Sequence, residues 1–230
     1  MHSTAMLNCR YFFDCYAKSF DNKNKITVIE IGSQDVNGSL RDVTPSHFEY
    51  IGVDFVPGKG VDVVLTDPYS LPFESDKAEI VISSSCFEHS EHFWLVHLEV
   101  MRILKPNGIF YLNVPSNQSY HRYPVDCWRF YPDSGKALVS WANRNGFESI
   151  LLESYVAKQG SEGLNDFVAV FLKDKKYINN YRNRIIQNNK DFKNGWTYGE
   201  DKLIHESYST EDKIKMQVIS QIISNEITIN

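Results

Sequence analysis

The segment ITVIEIGSQDVNG, at residues 26–38, constrains the fold of this chain more than any other stretch of its sequence. It opens with an almost unbroken apolar, β-branched run, which is typical of a central parallel strand covered on both faces. Glu30 interrupts the run one residue before its end, at the edge where open α/β sheets bind ligands. Gly32 allows a ligand to approach the backbone, and Asn37-Gly38 favours a second bend. The sequence therefore predicts a ligand-binding turn after this strand.

Composition indicates one globular domain, or one domain with an appendage. The chain has 230 residues, 42% of them hydrophobic, which is enough for one sizeable core. Its formal net charge of -5 argues against a dedicated nucleic-acid binder, since phosphate recognition needs a basic face. No apolar run approaches the roughly 18 residues of a membrane span, and the first residues lack the pattern of a signal peptide. We therefore expect a cytoplasmic protein without a membrane span.

Cysteine and histidine spacing predicts no metal site. The four cysteines form no CxxC pair, so we interpret them as reduced thiols. His89 and His92 are the one close histidine pair, and no third ligand is evident beside them.

Hydrophobic periodicity predicts strands that are separated by helical or crossover segments, followed by two strands with no helix-length segment between them. Those last two strands should pair antiparallel. Strands are predicted at 26–31, 49–54, 61–65, 79–84, 108–114, 147–156 and 166–172, and helices at 6–20, 91–104, 133–146 and 210–224. The domain should span residues 25–172, between an N-terminal helical segment (1–24) and a C-terminal helical extension (173–230) that could act as a lid or an interface.

Three predicted strands carry carboxylates at their carboxyl ends, namely Glu30, Asp54 and Asp67. Three carboxylates around one pocket would repel a phosphate ligand. The GxGxxG fingerprint of dinucleotide sites is also absent. A cationic ligand with a ribose and an amino group suits the pattern better. Asp54 could accept from both ribose hydroxyls, Asp67 from an adenine amino group, and Glu30 could orient the turn or lie near an ammonium group.

Five segments in this order resemble the class I S-adenosylmethionine-dependent methyltransferases, specifically the small methyltransferase-domain family found in many bacterial proteins. The resemblance covers roughly residues 25–172. The segments are EIGSQDVNG, YIGVD, VLTDPYSLPF, SSSCFEH and RILKPNGIFYLNVP.

The resemblance implies an α/β, Rossmann-like fold whose seven-stranded, mostly parallel sheet has an antiparallel last strand and helices on both faces. It also implies S-adenosyl-L-methionine as cofactor, with the turn at 32–38 cradling the amino-acid part. The sequence departs from the family pattern where Gln34 and Val36 replace glycines that often alternate in the first motif. The implied cofactor-binding residues are Glu30, Gly32, Ser33, Gln34, Gly38, Asp54, Phe55, Asp67, Pro68, Ser84 and Ser85.

A further segment, HRYPVDCWRFYPDSGKAL at 121–138, resembles the region after the fifth strand in methyltransferases that often accompany sugar and surface-glycan biosynthesis. Its polar groups and aromatic rings suit a sugar or a phosphorylated sugar, with Tyr123, Asp126 and Arg129 as candidate substrate-binding residues. Arg129 could bind a phosphate or carboxylate, or it could fix the loop through Asp126.

Methylation of a hydroxyl requires removal of one proton, and His89 and His121 are the candidate general bases. Glu88-His89 could instead only anchor the loop. The predicted activity is O-methylation of a sugar or a sugar-containing precursor. The alternatives are methylation of another small metabolite and, from a different class, a non-catalytic cofactor-binding scaffold subunit. A homodimer is possible.

Overall fold

The structure is a computed structural model that describes residues 2–20, 25–117, 119–160 and 163–224. The predicted N-terminal segment is thus described over residues 2–20. The last residues of the predicted C-terminal extension, 225–230, lie outside the described residues.

One eight-stranded sheet organises the molecule, in the order β3-β2-β1-β4-β5-β7-β6-β8. The strands β1 to β5 run parallel, whereas β7 is antiparallel to both β5 and β6. The chain leaves β1 towards β2 on one side and β4 lies on the other, so the carboxyl ends of β1, β2 and β4 surround a switch point of the sheet. The bounds are β1 Thr27–Ile31, β2 Glu49–Asp54, β3 Val63–Val64, β4 Ala78–Ser84, β5 Leu104–Pro115, β6 Ile150–Ala157, β7 Asp166–Leu172 and β8 Phe192–Thr197.

The predicted parallel sheet with an antiparallel last strand is confirmed, with one addition. The eighth strand, β8, comes from the extension that was predicted to be helical, and it pairs antiparallel with β6. Two of its residues are buried, Phe192 and Gly195, and the other four are only partly buried. Because β8 is a half-exposed edge strand, its sequence FKNGWT shows little of the apolar pattern of the interior strands.

Helices cover both faces of the sheet, as predicted. One face packs against α1 and α4, and the other packs against α2 and α3. The inward face of α1 includes Ala5, Cys9 and Phe13, which are buried, whereas Leu7 is exposed. The bounds are α1 Ser3–Tyr16, α2 Phe93–Ile103, α3 Ser134–Arg144, α4 Ile185–Asn188 and α5 Glu211–Ile223.

The carboxylate of Glu153, on β6, joins the C-terminal segment to the rest of the domain. It is fully buried and accepts hydrogen bonds from the Tyr16 hydroxyl on α1 and from the backbone N–H groups of Ile185 and Ile186 at the start of α4. Arg184 adds a bond from its Nε to the carbonyl of Leu152, at 3.0 Å. The early part of the extension is therefore part of the domain core.

The last helix, α5, begins where it was predicted, with the Thr210 side chain accepting from the Lys213 N–H at 3.2 Å. In contrast to the other helices, it buries none of its described residues. Over the described parts of the chain, no helix has both the length and the apolar character needed to cross a membrane.

Candidate functional site

A cavity of about 580 Å³ lies at the carboxyl ends of β1, β2 and β4. Its size is within the range of small-molecule and cofactor sites, roughly 300–1,000 Å³. It opens beside the loop that follows β5, residues 116–131, which we call the acceptor loop. Nine of the predicted site residues line the cavity: Gly32, Gln34, Asp54, Phe55, Pro68, Ser84, Ser85, His89 and Tyr123.

The turn after β1 bends sharply because of Gly32, whose φ of 82° favours glycine. The N–H groups of Gly32 and Ser33 both donate to the carbonyl of Val53, at 2.9 and 3.1 Å, which fastens the turn to β2. A Cβ atom at Gly32 would lie 2.6 Å from the Cβ of Cys86, which is closer than side chains can pack. The turn therefore brings bare backbone to the cavity wall.

Asp54 presents its carboxylate to the cavity from the end of β2. Its two oxygens each accept one backbone N–H, from Gln34 and from Val56, both at 3.1 Å. These bonds fix the side chain while leaving further lone pairs for the donors of a ligand. Phe55, the next residue, is exposed at the cavity wall.

Glu30 and Ser33 lie behind the cavity lining. Glu30 is 1% exposed and accepts a hydrogen bond from the Tyr50 hydroxyl, and its Oε1 has no partner among the described residues. Burial raises the pKa of Glu30 to about 7, because the low-dielectric surroundings disfavour the charged form. The hydroxyl of Ser33 is also buried without a partner in the described structure.

Gly38 and Asp67 also lie outside the lining. The N–H of Gly38 donates to the Asp35 carboxylate at 2.8 Å, so this glycine closes the turn on itself. Asp67 is exposed, and its carboxylate accepts the Tyr69 N–H at 2.9 Å. The structure therefore brings Pro68, but not the Asp67 side chain, to the cavity wall.

His89 follows β4 and faces the cavity, with the ring of His121 beside it at a centroid distance of 5.0 Å. The Nδ1 of His89 lies 2.5 Å from the carbonyl oxygen of Val125. Because a carbonyl only accepts hydrogen bonds, this nitrogen carries the proton and Nε2 keeps its lone pair. Burial lowers the pKa of His89, which favours the neutral ring. His121 itself does not line the cavity.

The acceptor loop is held by an ion pair. Arg129 donates to both carboxylate oxygens of Asp126, at 2.6 and 2.8 Å, and to the carbonyls of Ser119 and Trp128. The hydrogen bonds from Arg129 lower the pKa of Asp126 to about 2. Neither Asp126 nor Arg129 lines the cavity, and their hydrogen bonds hold the acceptor loop together. Tyr123 does line the cavity, and its hydroxyl donates to the Gln34 side chain at 3.0 Å.

Several lining residues were not predicted from the sequence. Apolar side chains at the strand ends and the residues beside His89 carry no pattern of their own, because the same types fill ordinary turns. The unpredicted residues are Ile31, Val36, Val53, Val56, Leu65, Tyr69, Ser90, Glu91, Val96, Arg122, Pro124 and Val125.

These features fit a ligand with a ribose and a positive charge. Asp54 offers free acceptor lone pairs, Gly32 leaves room that a side chain would fill, and Glu91 adds a second acidic group to the lining. The lining also offers apolar walls, such as Phe55 and Leu65, for a flat base.

Residues 17–112 match the family model described as "Methyltransferase domain". The matched segment runs from the end of α1 into β5 and contains most of the cavity lining. Comparison with curated protein sequences gave no match.

Solved structures share the fold at low sequence identity. A 1,6-didemethyltoxoflavin-N1-methyltransferase from Burkholderia thailandensis, with bound 1,6-didemethyltoxoflavin and S-adenosylhomocysteine, is 15% identical with a TM-score of 0.55, over 74% of this chain and 79% of that one. The YcgJ protein of Bacillus subtilis is 14% identical with a TM-score of 0.52, over 76% and 100% of the chains. The [4+2]-cyclase SpnF is 12% identical with a TM-score of 0.51, over 72% and 81%.

Proposed function

We propose that this S-adenosylmethionine-dependent methyltransferase methylates a hydroxyl of a sugar or sugar-containing precursor, and that a histidine takes the hydroxyl proton. The observation that carries the proposal is that Asp54, His89 and Tyr123 all line one cavity. A cofactor held at Asp54 and an acceptor held by the acceptor loop would therefore share a single cavity, as transfer between them requires.

The cofactor would be held by the turn after β1 and the ends of β2 and β4. Asp54 would accept from the ribose hydroxyls, the backbone at Gly32 would approach the amino-acid part, and Pro68 would line the base. When bound, the cofactor supplies a methyl group on a positively charged sulfur. The acidic lining suits that charge, since it offers acceptors rather than phosphate-binding donors.

Proton removal needs a lone pair that faces the acceptor. His89 has one at Nε2, since its Nδ1 is committed to the Val125 carbonyl. The Nδ1 of His121 lies 3.2 Å from the Ser119 carbonyl, which leaves its Nε2 available in the same way. As the hydroxyl oxygen gains the methyl group, its proton passes to one of these nitrogens. His89 is the better placed of the two, because it lines the cavity.

The sugar class is supported by the chemistry of the acceptor loop. Tyr123 is half exposed, and both it and Arg122 line the cavity, so the lining offers a flat ring and a cation. Aromatic faces bind the apolar face of a sugar ring, and a guanidinium binds a phosphate or carboxylate. A sugar that carries an acidic group, such as a phosphate, fits this pair.

Binding of the cofactor is tested by titration calorimetry with S-adenosylmethionine and S-adenosylhomocysteine. We expect both to bind the wild-type protein. Asp54→Ala should weaken binding about 10- to 100-fold, the loss of one or two hydrogen bonds to a charged group. Asp191→Ala, a change at an exposed position far from the cavity, should leave the affinity unchanged. Absence of binding by the wild type, or equal binding by Asp54→Ala, would overturn the assignment of the cavity.

The acceptor is tested by incubating the protein with methyl-labelled cofactor and three sets of compounds: sugars, sugar phosphates and nucleotide sugars, and non-sugar metabolites. We expect label to appear on a sugar hydroxyl, identified by mass spectrometry, and turnover to fall at least 100-fold in His89→Ala. Label only on a non-sugar metabolite would contradict the sugar class. Cofactor binding without turnover on any set would favour a scaffold role.

A further inference from the structure

We propose that Glu88, His89 and His121 form a binding site for one divalent transition-metal ion of the zinc class, at the edge of the cavity. One potential ligand atom from each of the three residues lies within 4.8 Å of the others. The Nε2 of His89 and the Oε1 of Glu88 are 3.8 Å apart. Two ligands of a tetrahedral zinc ion lie roughly 3.4 Å apart, given bond lengths of about 2.0–2.2 Å, so small side-chain adjustments would complete the site.

The backbone brings these residues together from distant parts of the sequence. Glu88 and His89 form a short 3-10 turn after β4, and the acceptor loop follows the neighbouring strand β5. The N–H groups of Cys127 and Trp128 donate to the Glu88 carbonyl, at 2.8 and 3.2 Å, and this places His121 beside His89.

Glu88 provides an independent indication of a cation. Its side chain is 1% exposed, and its Oε2 accepts no hydrogen bond from any described residue. A buried carboxylate without a full set of donors is costly, and a cation bound through either oxygen of this carboxylate would offset that cost. Arg129, whose charge acts on Glu88, donates both of its terminal nitrogens to Asp126 and to backbone carbonyls, and its buried Nε has no partner among the described residues.

The two histidines are oriented as metal ligands commonly are. In protein metal sites, a ligating histidine usually donates its other ring N–H to an oxygen, which fixes the ring and its tautomer. The Nδ1 of His89 faces the Val125 carbonyl at 2.5 Å, and the Nδ1 of His121 faces the Ser119 carbonyl at 3.2 Å with the Asp126 carboxylate at 3.6 Å. Both Nε2 atoms are thereby left with a lone pair for an ion.

The donor set selects the kind of ion. Two imidazoles and one carboxylate suit zinc, cobalt, nickel or ferrous iron, whereas magnesium and calcium prefer oxygen ligands. Three protein ligands leave a fourth position of a zinc ion open. Since His89 lines the cavity, that open position would face the space that we assign to the acceptor.

Metal binding and proton removal would use the same lone pairs. A histidine nitrogen that holds an ion has no lone pair left for the acceptor proton, so an occupied site should inhibit methyl transfer. The expected inhibition rests on the proposed function. Metal binding does not rest on it, and it can be measured without an acceptor.

The binding test uses full-length protein freed of metal by dialysis against a chelator. Titration calorimetry with Zn²⁺ and the visible absorption of added Co²⁺ should both show one ion per chain. Glu88→Gln and His121→Asn should each weaken binding at least tenfold. His121→Asn changes a partly exposed side chain, so it keeps the test informative if Glu88→Gln fails to fold. His47→Ala, at an exposed position before β2, is the matched control and should bind as the wild type does.

Thiol ligation is tested separately, because Cys127 is exposed and its N–H lies beside the Glu88 carbonyl. We expect Cys127→Ser to bind zinc normally and the cobalt spectrum to lack a sulfur charge-transfer band. A wild-type protein that binds neither ion, or Glu88→Gln and His121→Asn proteins that both bind as tightly as wild type, would overturn the site.

Measurements of turnover then test whether a bound metal ion inhibits methyl transfer. Methyl transfer should proceed fully in chelator and fall in proportion to zinc occupancy, and the inhibition should weaken in Glu88→Gln. Turnover that is lost in chelator and restored by zinc would contradict the inhibition while leaving the measured site in place. If no acceptor is methylated under any condition, the proposed function fails but the cobalt and zinc titrations still decide the site.

Discussion

At the scale of single residues, the cavity depends on positions where the side chain, or its absence, has one clear physical reason. Gly32 is glycine because its φ is positive and Cys86 occupies the space that a Cβ would need. Asp54 terminates an apolar strand because its carboxylate receives two backbone N–H groups and still faces the cavity. Both residues were predicted from the sequence, because each interrupts a pattern that its neighbours follow.

Replacing Gly32 with alanine should destabilise the fold and weaken cofactor binding. The left-handed backbone alone costs an alanine about 1–2 kcal/mol, and the contact with Cys86 adds to that. Gly146 has a similar φ of 91° with nothing within 4 Å of an added Cβ. Gly146→Ala should therefore lower the free energy of unfolding by the backbone cost only. Equal losses in urea denaturation of the two variants would contradict a role for the Cys86 contact.

Glu30 should make the free energy of unfolding depend on pH. Its pKa is raised by burial to about 7 in the folded protein, against a usual value of 4.5. The stabilisation is thus fully present below pH 4.5 and is lost as the pH rises towards 7, because the unfolded chain ionises first. The loss amounts to about 3 kcal/mol at about 1.4 kcal/mol per pKa unit.

Glu30→Gln cannot ionise, so the variant should lose less free energy of unfolding than the wild type between pH 5 and pH 8. Denaturant melts across that range measure the difference. Glu74→Gln, an exposed change, is the control and should keep the wild-type slope. Parallel pH profiles for Glu30→Gln and wild type would show that Glu30 ionises normally in the fold.

At the scale of elements, the acceptor loop is ordered by side chains rather than by regular secondary structure. Its described residues form no helix or strand, and hydrogen bonds run from Arg129 to Asp126 and from the loop backbone to Glu88. The sequence has neither a helical nor a strand period here, so it predicted no helix or strand and left two roles open for Arg129. The structure favours the positioning role.

Arg129→Ala should loosen the acceptor loop without affecting the cofactor. Hydrogen exchange should rise across residues 119–131, and the KM for the acceptor should increase at least tenfold while the affinity for S-adenosylmethionine stays within twofold. Arg122→Ala tests the other arginine of the loop, which lines the cavity and should raise the KM without changing hydrogen exchange. An Arg129→Ala protein with wild-type exchange would refute the positioning role.

The attachment of α4 to the sheet should depend on Glu153. Glu153→Gln replaces an oxygen that accepts from the backbone with an amide nitrogen that cannot, and leaves buried donors unpaired. We expect it to lower the free energy of unfolding by about 2–4 kcal/mol. Glu148→Gln removes only an exposed partner of Lys175 and should change the free energy of unfolding by less than about 1 kcal/mol. Thermal or urea melts of both variants provide the comparison.

At the scale of the whole molecule, the sequence predicted the interior better than the edges. Strands β1, β4, β5 and β7 are buried on both faces, so their apolar runs were unmistakable, whereas β3 spans two residues and β8 is a half-exposed edge. Part of the cavity lining was predicted from the sequence, because the carboxyl ends of parallel strands meet at one edge of a sheet. The Glu88, His89 and His121 cluster was not, because its members meet only through long-range folding of the acceptor loop.

Removal of α5 should leave the domain folded. The helix buries no described side chain and joins the body through polar contacts at its first turns, such as Asp212 with Gln159. A protein ending at residue 209 should melt within about 2 °C of the full chain. Light scattering of the two proteins should show the same number of subunits if α5 is a lid, and a different number if α5 is an interface. A large loss of melting temperature would place α5 in the core.

The cysteines of this protein include one that is suited to attachment of a fluorescent label. All four cysteines are free, yet only Cys127 is exposed, and it lies in the acceptor loop with its N–H bonded to the Glu88 carbonyl. An environment-sensitive fluorophore attached at Cys127 would follow rearrangements of the loop in real time. Such a labelled protein would allow acceptor candidates to be screened by fluorescence before any of them is known to be turned over.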